Sequence, residues 1–445
     1  MRLTIPTPTL SQCSLAAITA ALIASTSAAQ TNLAARVSSA PDGVVRVTYA
    51  SRPGTCGDGG DVIGYRKALF AENFQSIGNW NSPNCVPGPV RVSISVSSGR
   101  ITRVRTVVGD SFPRTSERVT DLGMVSPIDA ASYFFSIVPQ AERASGNRGR
   151  ALLPAVLANA GDVIPQLTSL ARDDSRVSET RHQAILWIGL LGDERVIPTL
   201  VEFARGGGAG PVGQDIDDDA KPGKKGLGQA AMAALSEMDN GIGVPALIEL
   251  SRDGSAATRS SAVFWLGQSR DARAFAALHR VIENTSEDDR VRAHAVFSLG
   301  QGANEDASQI KYLQSIFPRA SSRMKEQIFL TMGQEKSGGY AWLLDKARDR
   351  NESVEVRKKA LFWAGQNDET PTRDLAAAYR SADDESFKEH AIFVLSQRKD
   401  QAAVDELMRI AQSDPDRRMR ARALFWLGQS NDPRVAKMIA DKIAK

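Results

Sequence analysis

The stretch Ala262-Val-Phe-Trp-Leu-Gly-Gln268 recurs along the second half of the chain and decides its fold. It returns as Ala295-Val-Phe-Ser-Leu-Gly-Gln301, Ala360-Leu-Phe-Trp-Ala-Gly-Gln366 and Ala423-Leu-Phe-Trp-Leu-Gly-Gln429, and in weaker form as Ala184-Ile-Leu-Trp-Ile-Gly189, Phe329-Leu-Thr-Met-Gly-Gln334 and Ala391-Ile-Phe-Val-Leu-Ser-Gln397. We call the glycine of each copy, or the serine that replaces it, the pivot position. The pivot positions Gly267, Gly300, Gly333, Gly365, Ser396 and Gly428 follow one another at intervals of 33, 33, 32, 31 and 32 residues. Such a period predicts a solenoid of stacked units.

Each unit divides into two predicted helices. The first runs through the motif and ends at the pivot, because glycine readily takes the left-handed conformation that closes a helix. A short polar turn follows, and then a second helix such as the one from Val196 to Ala204. With weaker copies near Leu235 and from Leu153 to Ala158, the sequence predicts a mainly α protein with about nine two-helix repeats over residues 150–445.

These motifs resemble the short HEAT-like repeats of the phycobilisome lyases over residues 150–443. The chain as a whole also resembles exported bacterial proteins that join a small disulfide-bearing β domain to such repeats. The resemblance implies an α-solenoid of HEAT-like repeats. It also implies a possible lyase-like activity, although an export signal would separate this chain from the cytosolic pigment machinery.

Residues 36–110 have a period of two and predict a small β domain. Apolar residues alternate with polar ones over residues 90–96 and 104–108, and the turn Ser97-Ser-Gly-Arg100 joins the two runs into a hairpin. Arg91, Arg100, Arg103 and Arg105 give the hairpin a cationic patch, which we interpret as a solvated face. Cys56 and Cys85 are predicted to form a disulfide, worth about 3–4 kcal/mol in the chain-entropy model.

Residues 1–29 have the features of a signal peptide: the apolar run Leu15 to Ala24 and the small residues Ser27-Ala28-Ala29 before a cleavage site. We therefore expect a periplasmic or secreted protein with no membrane insertion after cleavage. Residues 111–149 are predicted to be a helical linker, with a helix starting at Ser126-Pro127.

Composition and motifs give little support to catalysis or nucleic-acid binding. The net charge is only +4, which supplies no broad field for a polyanion. His294 and His390 share a repeat position but lie three repeats apart, about 25–30 Å at the usual spacing of packed helices, too far for one metal. No phosphate loop, dinucleotide fingerprint or protease motif occurs. We therefore predict no catalytic residues, no metal and no cofactor.

Several residues recur with the repeat, and we interpret them as structural. Trp187, Trp265, Trp363 and Trp426 precede their pivots by two residues and are expected in the core. Arginines eight residues before the pivot, among them Arg181, Arg259 and Arg357, are expected to pair with acids. The glycine-rich and charged segment 206–226 interrupts the repeat and is expected to be a surface loop, with cation binding left open.

Function is expected where the repeats differ. The main hypothesis is a non-enzymatic scaffold for protein–protein interaction, which binds another protein on a concave face formed by the second helices. From the register of the second helices, His279, Tyr312, Trp342 and Lys346 are predicted to point away from the core and to bind the partner. Packing of Trp342 against the neighbouring repeat is left open. The alternative function is a lyase-like or enzyme-associated protein that holds a small ligand in the groove.

Overall fold

The computed structural model describes residues 32–443, apart from residues 61, 67, 72–73, 78–84, 145–149, 207–225, 270, 303–305, 335–338 and 431. The predicted signal peptide, Asp61 and nearly all of the 206–226 segment lie outside the described residues. The chain divides into two compact units, one ending at Ile188 and the other beginning at Gly189.

The N-terminal unit contains eight described strands in two four-stranded sheets. The strands are β1 Gly43–Tyr49, β2 Thr55–Gly57, β3 Ile63–Tyr65, β4 Ala68–Ala71, β5 Phe74–Ile77, β6 Val90–Ser97, β7 Arg100–Val108 and β8 Val119–Met124. One sheet has the order β7-β6-β1-β8, and the other is the meander β2-β3-β4-β5. The short helix Leu33–Ser38 precedes β1.

The predicted hairpin is confirmed as the antiparallel pair β6–β7. Its two turn residues, Ser98 and Gly99, have φ angles of 51° and 71°, the left-handed values that a tight hairpin turn requires. The apolar side chains of β6 are buried and those between them are half-buried. On the polar face, the guanidinium groups of Arg46 and Arg91 lie 4.8 and 5.1 Å from the ring centre of Phe112. Part of the basic face is therefore packed against an aromatic ring.

The predicted disulfide between Cys56 and Cys85 is present, with a Cα–Cα distance of 5.1 Å. It ties β2 to the segment before β6, where Gly57 and Val86 also exchange backbone hydrogen bonds of 3.0 and 2.8 Å.

The 111–149 segment contains a strand that the sequence does not predict. Strand β8 pairs in parallel with β1, so it belongs to the sheet. Its residues Val-Thr-Asp-Leu-Gly-Met do not alternate cleanly between apolar and polar. The strand forms because β1, about 75 residues upstream, has an edge that is free to pair with it.

The predicted helix start is confirmed: Ser126 caps the helix Pro127–Ser136, which packs Phe134 against Tyr49 with ring centres 6.0 Å apart. The short helices Val138–Ala141 and Leu153–Val156 follow, and the Tyr49 hydroxyl donates to the carbonyl of Pro154 at 2.6 Å.

Paired helices follow, which confirms the mainly α fold with a small disulfide-bearing β domain. The first helices are Ser178–Leu191, Leu227–Glu237, Ala256–Gln268, Asp289–Gly302, Ser322–Gln334, Val354–Gln366, Glu385–Ser396 and Arg417–Gly428. The second helices are Ile197–Gly206, Val244–Leu250, Ala272–Glu283, Ala307–Ile316, Gly339–Arg348, Thr372–Arg380, Gln401–Ser413 and Pro433–Ile443. The helix Ile164–Arg172 precedes these pairs in the place of a second helix, so the described residues give eight complete pairs and a partial one.

In three repeats, the arginine eight residues before the pivot bonds to the end of the preceding helix. Arg181, Arg292 and Arg357 donate from Nε to the carbonyl oxygens of Ala171, Ile282 and Ala347, at 3.0, 3.0 and 3.1 Å. These carbonyls lie at the ends of the preceding helices and have no partner within those helices. Acids take part as well, in the pairs Arg181–Asp174 at 2.8 Å and Arg259–Glu287 at 2.7 Å. The expected pairing with acids is therefore only part of the role of these arginines.

Candidate interaction surface

Two of the four predicted partner-binding residues lie together on the second helices. The rings of His279 and Tyr312 stack with their centres 3.8 Å apart and their planes 20° apart. His279 Nε2 lies 2.8 Å from Oε1 of Gln309, and the Tyr312 hydroxyl donates to Glu283 at 3.2 Å. Burial, and then the nearby Glu283 carboxylate, raise the pKa of Tyr312. This half-buried pair is held in place by its own polar contacts.

The other two predicted residues lie on the helix Gly339–Arg348. Trp342 is half-buried, and its ring packs edge-on against Phe317 at 5.1 Å and tilted against Phe329 at 6.2 Å. Lys346 is half-buried and forms an ion pair with Asp349 at 3.4 Å. Phe317 belongs to the preceding repeat. Trp342 therefore packs against the neighbouring repeat, which is the alternative that the sequence left open.

The pivot glycines let the first helices of adjacent repeats come into close contact. They lie within or at the end of helices and have no left-handed φ, so the prediction that they terminate helices in that conformation is wrong. A Cβ built on Gly267 would lie 2.6 Å from the carbonyl oxygen of Ser298, and one on Gly333 would lie 2.9 Å from the ring of Trp363. Both neighbours stand two residues before the next pivot. The pivot of one repeat therefore packs on this position in the following repeat.

A different position faces outward along the same helices. The residue three before each pivot is apolar and at least partly exposed in six consecutive repeats, and we call this set the apolar row. Its members are Phe264, Phe297, Leu330, Phe362, Phe393 and Phe425. Phe425 is the most open, with 55% of its surface exposed. The signal for this row was visible in the sequence, where phenylalanine precedes five of the six pivots by three residues.

The tryptophans beside the apolar row do not all lie in the core. Trp187 is fully buried, as expected, and contacts Tyr65 with ring centres 5.3 Å apart. Trp265, Trp363 and Trp426 are half-buried. Trp426 packs on Phe393 of the preceding repeat at 5.3 Å, so it links successive members of the row. The interpretation of this position as core is therefore correct for one of the four tryptophans and incomplete for three.

Polar contacts between repeats run along one side of the apolar row. The residue seven before one pivot contacts the residue six before the next, in the pairs Ser260–His294, Glu326–Lys359 and Glu389–Arg422, at 2.5, 3.2 and 3.1 Å. We call these pairs the polar ladder. Burial lowers the pKa of His294, so its neutral form is favoured there.

On the other side of the row, glutamines follow the pivots and are exposed or half-exposed: Gln268, Gln301, Gln334, Gln366, Gln397 and Gln429. Gln301 donates to Gln334 at 3.3 Å, so this pair of glutamines bridges two adjacent repeats. The first helices thus present a charged or polar edge, an apolar centre and a carboxamide edge.

A cleft of about 640 Å³ lies at the C-terminal end of this face. Leu395, Trp426 and Leu427 supply apolar lining, and Gln397 and Arg398 supply polar lining. Arg398 also donates to the carbonyl oxygens of Gly365, Asn367 and Thr370.

Within the described part of the chain, no three or more His, Cys, Asp or Glu side chains gather in a way that could hold a metal ion. No helix among the described residues has the length and apolar character needed to cross a membrane.

Comparison with protein families matches HEAT repeats at residues 244–328, 340–427 and 372–444, and a PBS lyase HEAT-like repeat at residues 180–206. Comparison with curated proteins finds no match. Among solved structures, the chain is similar to human deoxyhypusine hydroxylase in complex with glycerol, with 18% identity over 62% of this chain and 88% of that chain and a TM-score of 0.21. It is also similar to the complex of CpcE and CpcF of phycocyanin lyase from Nostoc sp. PCC7120, with 18% identity over 59% of this chain and 94% of that chain and a TM-score of 0.26. The family matches show that the chain contains HEAT repeats, together with one PBS lyase HEAT-like repeat.

Proposed function

We propose that this protein is an exported, non-enzymatic scaffold that binds another protein along the apolar row of its first helices. The observation that carries the proposal is the row itself, in which six consecutive repeats each leave an apolar side chain partly exposed at one equivalent position. Single exposed apolar residues are ordinary, but contiguous apolar surface with a polar rim is typical of interfaces. This proposal moves the partner surface from the second helices to the first.

The proposed setting is the periplasm or the outside of the cell. It rests on the N-terminal apolar segment and on the disulfide, which persists in oxidising compartments. The near-neutral charge balance supports a protein partner over nucleic acid. No cofactor is part of the proposal.

The test is capture of the partner by crosslinking from the native envelope, followed by identification and a binding measurement with both purified proteins. In the test variant, Phe362, Phe393 and Phe425 are changed to serine. In the matched control, His279→Ala and Tyr312→Ser alter the aromatic pair on the second helices. We expect the row variant to lose at least tenfold in affinity, since loss of even one hot-spot side chain costs about 2 kcal/mol, and the control to bind normally. Loss of binding in the control with normal binding in the row variant would favour the second helices instead.

The cleft beside Trp426 favours a second candidate, a lyase-like or enzyme-associated protein that holds a small ligand. Its volume of about 640 Å³ lies within the range of small-molecule sites. A small molecule released when the purified native protein is denatured, or visible absorbance lost in a Trp426→Ala variant, would support this candidate. A purified protein without either property that still binds its partner would exclude it.

A further inference from the structure

We infer that the occupant of the apolar row is a proline-rich segment in the polyproline II conformation, which crosses the first helices with about one ligand turn for each repeat. This inference rests on the proposed function, in which the row is the binding surface.

The first argument is spacing. Adjacent first helices are in contact through the pivots, and packed helices lie about 8–10 Å apart. Polyproline II has three residues per turn and a rise of about 3.1 Å, so the same face of the ligand returns after about 9.3 Å. In a β-strand the same face returns after about 6.6 Å, so the side chains of the strand would lose register with the helices within two repeats. Of these two extended conformations, polyproline II is the one that can place an apolar residue on every member of the row.

The second argument is the chemistry of each repeat. Proline has no N–H group, so a polyproline ligand offers its backbone to a protein only through carbonyl acceptors. The glutamine after each pivot stands four residues beyond the row residue, on the same face of the helix, and its carboxamide can donate. Each repeat therefore combines an apolar surface, a phenylalanine ring in five of the six, with a hydrogen-bond donor, as grooves that bind proline-rich segments do.

The third argument is charge. In the polar ladder the acids and bases beside the row are paired with each other, as in Glu326–Lys359 and Glu389–Arg422. Paired charges leave this edge without a strong field of either sign. The surface therefore favours a neutral ligand over an acidic or basic peptide.

The inference can be tested with the full mature chain and a synthetic peptide of twelve prolines, long enough to cross four repeats. Binding can be followed by tryptophan fluorescence, because the rings of Trp363 and Trp426 lie 5.5 and 5.2 Å from those of Phe362 and Phe425. We expect a saturable change with this peptide and none with a glycine–serine peptide of equal length. Phe393→Ser with Phe425→Ser should weaken binding at least tenfold, and Tyr312→Ser on the second helices should leave it unchanged. If circular dichroism shows that the double variant is unfolded, the exposed single variant Phe425→Ser replaces it, with at least threefold weaker binding expected.

Absence of a saturable change at millimolar peptide would overturn the inference, and so would equal binding by the folded row variant. If the proline peptide fails but the row variant loses the purified natural partner, the proposed function stands without this ligand class. If the row variant keeps that partner, the proposed function fails as well.

Discussion

The close contact at the pivots can be tested by adding one methyl group at two equivalent positions. Gly267 and Gly428 occupy the same place in their repeats, both in first helices. A Cβ on Gly267 would lie 2.6 Å from the carbonyl oxygen of Ser298 and 2.9 Å from its Cβ. A Cβ on Gly428 would have no neighbouring atom within 4 Å. Gly428→Ala is therefore a matched control for Gly267→Ala.

The magnitude follows from two opposing effects on the free energy of unfolding. Alanine is favoured over glycine inside a helix by about 1 kcal/mol, and by less at a helix end. Gly428→Ala should thus change stability by about 0 to +1 kcal/mol. At position 267 the same gain is opposed by overpacking, which costs about 1–3 kcal/mol. The upper half of that range applies, because the obstructing atom is a backbone carbonyl and the two helices must move apart. We expect Gly267→Ala to lose about 1–3 kcal/mol.

The assay is thermal and urea unfolding of the full mature chain, followed by helical circular dichroism. For units of 150–250 residues, 1 kcal/mol corresponds to roughly 2–4 °C, so Gly267→Ala should melt several degrees below Gly428→Ala. Equal destabilisation of both variants would refute the contact and support a left-handed helix end instead. A Gly267→Ala protein at least as stable as Gly428→Ala would also show that the helices are not in close contact.

Three further predictions concern other parts of the molecule. Trp342→Ala should destabilise the protein by about 2–3 kcal/mol, because the ring packs on Phe317 and Phe329 yet is partly exposed; an unchanged melting curve would return Trp342 to the role of an exposed anchor. Cys56→Ser with Cys85→Ser should make the N-terminal unit more sensitive to limited proteolysis while most helical circular dichroism survives, and equal loss of both signals would contradict a local role for the disulfide. Burial lowers the pKa of His294 in the folded state, so the unfolded chain takes up a proton at a higher pH than the folded chain does. As the pH falls below about 6.5, the ordinary pKa of histidine, protonation therefore favours the unfolded state and the free energy of unfolding decreases. Wild type should therefore lose more unfolding free energy between pH 7 and 5 than His294→Gln, and parallel pH profiles would contradict this.

The sequence by itself determined the features that depend on local or periodic signals. The repeat of about 32 residues indicated the solenoid, alternation of apolar residues indicated the β6–β7 hairpin, and Ser126-Pro127 marked a helix start. Two cysteines left after a predicted cleavage were enough to propose the disulfide. These features need only the neighbouring residues, or a count along the chain, to be recognised.

Tertiary structure alone decided which faces of the first helices are covered. The first helices from Ala256–Gln268 to Glu385–Ser396 each pack on their own second helix and on the first helices before and behind them, so apolar residues surround most of their circumference. The repeated motif shows that the positions of Phe362 and Trp363 recur in other repeats. It does not show how each helix is rotated about its axis, and so which of the two side chains faces the solvent. The same limit explains the error at Gly267, where a glycine suited to a helix end instead admits a neighbouring backbone. Strand β8 was missed for a related reason: its partner β1 lies about 75 residues upstream, and contacts at such separations leave no local pattern in the sequence. The sequence likewise left open whether Trp342 packs on the neighbouring repeat, and only the structure shows its contact with Phe317.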